Sequence, residues 1–153
     1  MYKRIRSVAR TPATVTWVRR YSTLGEHGAV WIVGGAVAAV VDRPRRARWG
    51  RASATVAGAY LLSSTVKRLI GRQRPAVESL PHLMATPTGL SFPSSHASSS
   101  FAAARAYGRL LPSSWLYAGA TAMGLSRLYL GVHYPSDVAA GAVLGTAVGT
   151  LGR

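Results

Sequence analysis

The chain has 153 residues and sets 19 Lys+Arg against 4 Asp+Glu, a formal charge of +15 that in a soluble protein would point first to nucleic acid. Charge placement argues against that reading, because residues 28–41, 52–66, 110–126 and 138–152 carry no charge and the arginines crowd the gaps between them. One domain's length without a cysteine also excludes disulfides, thiolate metal sites and a cysteine nucleophile.

In chain order, residues 1–27 mix Ile5, Val8, Val15, Trp17 and Val18 with Lys3, Arg4, Arg6, Arg10, Arg19 and Arg20. This reads as a basic amphipathic helix lying on an anionic bilayer surface, with a disordered basic tail as the competing reading, and not as a cleaved leader. Five apolar helical spans follow, at 28–41, 50–66, 95–111, 114–128 and 135–152. Each charge-free window is shorter than the ~20 residues that cross a bilayer, but flanking arginines can lay their stems along the apolar core and lift their heads to the interface. The expected fold is therefore all-α, an integral-membrane helical bundle of about five spans plus the N-terminal helix, in one domain covering 1–153. A soluble Ala/Gly-rich bundle is the competing architecture. Between the second and third spans, residues 67–94 form a long segment kept irregular by its prolines and by Gly71 and Gly89. Gly141, Gly145 and Gly149 make a small-residue ridge on the last span, a packing feature.

Counting crossings puts the N-terminus, the 67–94 loop and the 127–134 turn on one face. Three polar clusters lie there. "KRLIGRQRP" holds Lys67 and Arg74-Pro75, and the chain's only other lysine is Lys3, so a lysine here is not a product of composition. "FPSSH" places Ser94, Ser95 and His96 at the start of the third span, where free N–H groups and the positive dipole end make an anion site. "SRLYLGVHYPSD" holds Arg127, His133 and Asp137; the last two are four apart and meet on one helical face, so a carboxylate can set the tautomer of an imidazole. Taken singly, the clusters also read as juxtamembrane anchors, helix N-caps and an interfacial histidine.

Together, Lys67-x6-Arg74-Pro75, Pro93-Ser94-Ser95-His96 and Ser126-Arg127-x5-His133-x3-Asp137 resemble the three signature motifs of the type 2 phosphatidic acid phosphatase superfamily. The resemblance spans residues 67 to 137. One departure is visible, because Ser95 stands where the family has glycine. The resemblance implies His133 as a nucleophile that becomes phosphohistidine, Asp137 as its orienting carboxylate, and His96 as general acid and then base. It implies Lys67, Arg74, Arg127, Ser94 and Ser95 as phosphate ligands, with no metal and no cofactor. The four acids, Glu26, Asp42, Glu78 and Asp137, are too dispersed in sequence to suggest a metal cage. The partners implied are a lipid-linked phosphate and a bilayer with anionic lipids, with no nucleic acid. An Arg-, Ala- and Gly-rich composition fits a GC-rich bacterium, and within the family the chain is similar to the decaprenylphosphoryl-5-phosphoribose phosphatase branch. That branch implies a multi-pass protein of the bacterial plasma membrane with a cytoplasmic site. Phosphatidate, phosphatidylglycerophosphate or a polyprenyl diphosphate are alternative substrates. A non-catalytic anionic-lipid-binding protein is the alternative from another class.

Overall fold

Hydroxyl side chains and prolines set most of the helix starts in this chain. In the computed structural model, which describes residues 10–76 and 80–152, the Thr11 side chain accepts the Thr14 N–H and Pro12 fills the first turn of α1 (Pro12–Leu24). A 3-10 turn, Glu26–Gly28, joins it to α2 (Ala29–Val41). A second such turn, Arg43–Arg45, leads into the long α3 (Arg46–Ile70), which ends where Gly71 adopts a left-handed φ of 67°. Ser94 caps α4 (Ser95–Tyr107), Pro112 precedes α5 (Ser113–Tyr129), and Pro135 opens α6 (Pro135–Leu151).

The helical class stands, and several expected boundaries move. Lys67 to Ile70 belong to α3, because Lys and Arg are good helix formers and nothing breaks the pattern before Gly71. The loop is therefore 71–94, and it holds an isolated antiparallel bridge between Gln73 and Leu90. The third helix stops at Tyr107, where the Leu110 and Leu111 N–H groups both fold back onto the Tyr107 carbonyl ahead of Pro112. Of the N-terminal segment, residues 1–9 lie outside the described residues, as do Glu78 and Arg153. Its remainder does more than lie on a surface: Ser22 is fully buried, and the Tyr21 hydroxyl donates to the Gly119 carbonyl of α5 at 2.7 Å.

α4 is the centre of the bundle. Its Ala97, Ala102, Ala103 and Ala104 are fully buried, and side chains this small let neighbouring backbones come close. The ridge on α6 shows how close: a Cβ on Gly141 would stand 2.6 Å from the Ser94 carbonyl oxygen, and one on Gly145 would collide with the Ser98 carbonyl. Buried hydroxyl groups on α4 find partners. Ser98 donates to the Ser94 carbonyl, Ser100 accepts the Trp31 indole N–H at 3.0 Å, and the Tyr107 hydroxyl donates to the Trp31 carbonyl at 2.8 Å.

The outside is apolar where a soluble bundle would be polar. Val33, Val37, Val40 and Val41 of α2, Trp115 of α5 and Val143 of α6 are all more than half exposed. Among the described residues no single helix is long and apolar enough to cross a membrane; α1 and α2 satisfy that test together, bent by 46°.

Candidate active site

The bundle has two unlike ends. One carries a cavity lined by Arg48, Arg51 and Arg109 with Ala106, Leu110 and Gly152. At the other end, where α3 and α5 finish and α4 and α6 begin, a cavity of about 240 Å3 brings Lys67, Arg74, Ser95, His96, Arg127 and His133 to one wall set. Six of the eight residues picked from the motifs thus converge on one space. The other two, Ser94 and Asp137, are fully buried behind the cavity wall.

Each position has a local cause. His133 sits on the short segment between α5 and α6, after Gly131 takes a φ of 77° to turn the chain. Its Nε2 lies 3.4 Å from Arg74 Nη1, and its Nδ1 lies 3.5 Å from Asp137 Oδ2, near enough for charge pairing but not aligned as a full hydrogen bond. Asp137 is held from two other directions: Oδ2 accepts the Tyr134 N–H at 2.8 Å, and Oδ1 accepts from Arg72 Nη1 at 3.0 Å. A carboxylate with this many donors stays ionised and oriented.

Arg74 is fixed through Nε to the Thr88 carbonyl and through Nη1 to the Val132 carbonyl, at 2.9 and 2.6 Å. Lys67 reaches from the last turn of α3 to the carbonyls of Ser91 and Pro93, at 3.2 and 2.8 Å. Arg127 is buried at the end of α5, donates to the Ser22 hydroxyl and approaches Met84 Sδ, while its Nε has no partner. His96 Nε2 is likewise sealed and unpartnered. With His133 Nδ1 these make three unsatisfied buried polar atoms beside Lys67, Arg74 and Arg127, an arrangement whose charge and spare hydrogen-bonding capacity suit an anion with several oxygens. Ser94 spends its hydroxyl on the Ala97 N–H as the α4 cap, and its own N–H on the Asp137 carbonyl, so it supports the wall and does not line it. Ser95, in the position where the family has glycine, lines the cavity as the first residue of α4.

Arg72 is one residue of this site that sequence reasoning missed. It pairs with Asp137, donates to the Ser136 hydroxyl at 2.9 Å and lies 4.2 Å from the centre of the Tyr134 ring. Its closeness to Arg74 in "GRQRP" was visible, but nothing in that spacing names a carboxylate 65 residues away. Ser22 and Glu26, from the junction of α1 and α2, were missed for the same reason.

Burial holds the His133 ring well below the ordinary histidine range, at about 3, overriding the Asp137 carboxylate, which acts the other way. The ring is therefore neutral near pH 7, the form in which an imidazole nitrogen has a lone pair to offer. The sign for stability follows: between the unfolded value of about 6.5 and the folded one, the unfolded chain binds a proton that the folded chain refuses. His133 thus makes the fold less stable as pH falls from about 6.5 toward 3. Thermal melts at pH 7 and pH 5 are expected to show this loss, and His133→Gln to reduce it; an unaltered pH slope in that variant contradicts the assignment.

No group of three or more His, Cys, Asp or Glu residues with metal-binding proximity occurs among the described residues. Comparison with known proteins agrees with the geometry. The family model of the PAP2 superfamily matches residues 48–152. The decaprenylphosphoryl-5-phosphoribose phosphatase of Mycobacterium tuberculosis is 39% identical over 140 residues, covering 92% of this chain and 79% of that protein. In fold, the chain superposes on the crystal structure of Aquifex aeolicus LpxE with a TM-score of 0.82 at 24% identity, over 99% of this chain and 91% of that one. It also superposes on a transmembrane PAP2-type phosphatidylglycerolphosphate phosphatase from Bacillus subtilis, with a TM-score of 0.77 at 24% identity, over 99% and 80% of the two chains. A match over residues 48–152 takes in every motif residue and four of the six helices, α3 to α6, and on that match the chain belongs to the PAP2 superfamily.

Proposed function

We propose that this chain is a single-domain membrane phosphatase, covering 1–153, that hydrolyses a lipid-linked phosphate monoester, with decaprenylphosphoryl-5-phosphoribose as the leading substrate. The observation that carries the chemistry is the convergence of His133, backed by Asp137, with Lys67, Arg74 and Arg127 on one cavity. Phosphoryl transfer asks a protein mainly for an oriented nucleophile and for positive charge around three equatorial oxygens. The relationship to the mycobacterial enzyme supports the choice of substrate.

In this reading the cations hold the phosphate while His133 Nε2 attacks phosphorus. A P–N bond forms, the P–O bond to the lipid-linked alcohol breaks, and protonated His96 gives its proton to the departing oxygen. Asp137 stabilises the positive charge that the His133 ring acquires. His96, now neutral, takes a proton from water; the resulting hydroxide attacks phosphorus, the P–N bond breaks, and inorganic phosphate leaves. No step requires a metal or a cofactor.

The exposed valines of α2 and the apolar outer faces of α5 and α6 support placement in a bilayer, with α2 to α6 crossing as five short spans and α1 at the margin. Arginines at the span ends suit anionic lipids. By analogy with the branch that it resembles, the site faces the cytoplasm of a bacterial plasma membrane.

Phosphate release from purified protein checks the reading, using prenyl phosphoribose 5-phosphate, phosphatidate, phosphatidylglycerophosphate and a prenyl diphosphate, each with and without EDTA. The first is expected to be cleaved fastest, at a rate unchanged by chelation. Activity abolished by EDTA and restored by a divalent ion would refute the metal-free route, and inertness toward all four would refute the phosphatase.

A further inference from the structure

Three of the chain's four acidic residues lie among the described residues, and two of them are consumed by partners. Asp42 pairs with Arg45 and accepts the Trp49 indole N–H at 2.9 Å. Asp137 is engaged as described above. Glu26 is different: it lines the same cavity as Lys67, Arg68, Arg74 and Arg127, yet among the described residues its side chain has no hydrogen bond and no ion pair within 4 Å. It stands within electrostatic reach of Arg127 without joining it. A carboxylate beside a phosphate site repels the ligand it faces, so its presence needs a compensating partner.

The backbone holds Glu26 in place firmly. Gly25, on one side, packs so tightly that a Cβ there would stand 2.7 Å from Met123 and 3.1 Å from the His96 ring. On the other side His27 takes a left-handed φ of 54° and Gly28 one of 69°, with Gly28 seated over Ser99. A non-glycine residue in that region is held there by its surroundings, and here the His27 ring meets the Tyr60 ring edge-on at 5.5 Å. The bend between α1 and α2 is therefore a fixed elbow that presents one acid to a basic cavity.

We propose that Glu26 is a hydroxyl-binding subsite, accepting hydrogen bonds from a polyol head group next to the scissile phosphate. This rests on the phosphatase reading above and specifies the substrate class. An ammonium-bearing head group would also satisfy a carboxylate, but it would enter a cavity walled by four cations. Neutral O–H donors gain the hydrogen bonds without that repulsion. A pyrophosphate would bring its second phosphoryl group directly against the Glu26 charge, whereas in decaprenylphosphoryl-5-phosphoribose the ribose separates the scissile monoester from the phosphodiester, so prenyl diphosphates should be disfavoured. Substrates lacking hydroxyls near the phosphate leave the carboxylate desolvated and unpaired, which is the stronger source of discrimination.

The test compares prenyl phosphoribose 5-phosphate with dioleoyl phosphatidate in detergent micelles, for wild type, Glu26→Ala and the isosteric Glu26→Gln. The expected result is that the ratio of kcat/KM on the ribose substrate to that on phosphatidate falls at least tenfold in Glu26→Ala and by less in Glu26→Gln, whose amide oxygen still accepts. Equal losses on both substrates would show that Glu26 merely positions Arg127 or the elbow, and would overturn the proposal. An unchanged ratio in both variants would overturn it as well. Failure of the phosphatase reading is distinguishable, because wild type would then cleave neither substrate.

Discussion

Replacing His133 by alanine is expected to reduce phosphate release by about three orders of magnitude or more, because the attacking atom itself is removed and the rest of the site can only bind. His133 is 2% exposed, so the substitution also leaves a small buried void. A stability loss of about 1–3 kcal/mol is the scale to anticipate from such a change. His133→Gln fills most of that void and should be as inactive, which separates lost chemistry from lost folding. The measurement is phosphate release at saturating substrate alongside a thermal melt. Turnover near the wild-type rate in a folded His133→Gln protein would end the case for phosphohistidine.

The second large effect is expected at Asp137. In Asp137→Asn the amide can present only one oxygen to two donors, the Tyr134 N–H and the Arg72 guanidinium, so its NH2 group must face one of them. If the amide faces the Tyr134 N–H, leaving that donor unsatisfied costs about 1–3 kcal/mol, and less if it faces the partly exposed Arg72. The larger consequence is chemical: without the negative charge, the positive charge that develops on His133 during attack is not stabilised. A drop of about two orders of magnitude or more in kcat is expected, by the logic that governs a carboxylate behind a catalytic histidine. Arg72→Gln should lower kcat in the same direction but by less. The Arg72 side chain is 39% exposed, and water replaces part of what it supplies. Because both residues act through His133, the Arg72→Gln and Asp137→Asn effects should be strongly non-additive in a double-mutant cycle. Simple additivity would mean that Arg72 does not act through the carboxylate.

The sequence by itself determined the helical class and the place of the chemistry in the chain. Charge-free windows bounded by arginines and prolines account for α2, α3, α5 and α6, while α4, which holds Arg105, was read from its serine-rich start after Pro93; helix ends were misjudged where local signals were weak, as at Lys67 to Ile70 and at Tyr107. It also supplied the residues of the three motifs, because phosphate chemistry needs particular side chains at the ends of helices, and those ends are local features that spacing reveals. The four-residue interval from His133 to Asp137 is such a case, since one turn of helix brings the two together whatever the rest of the chain does.

Only the tertiary structure decided which partners complete the site. Arg72 reaches Asp137, Ser22 of α1 meets Arg127, and Glu26 enters the cavity from an elbow whose shape depends on contacts with Met123, His96 and Ser99. These pairings join residues 65 to 105 positions apart, with no periodicity linking them. They arise because α4 is lined with alanine and serine and α6 with glycine. Helices with such faces approach closely enough to bring the ends of α3, α4, α5 and α6, and the elbow before α2, around one space.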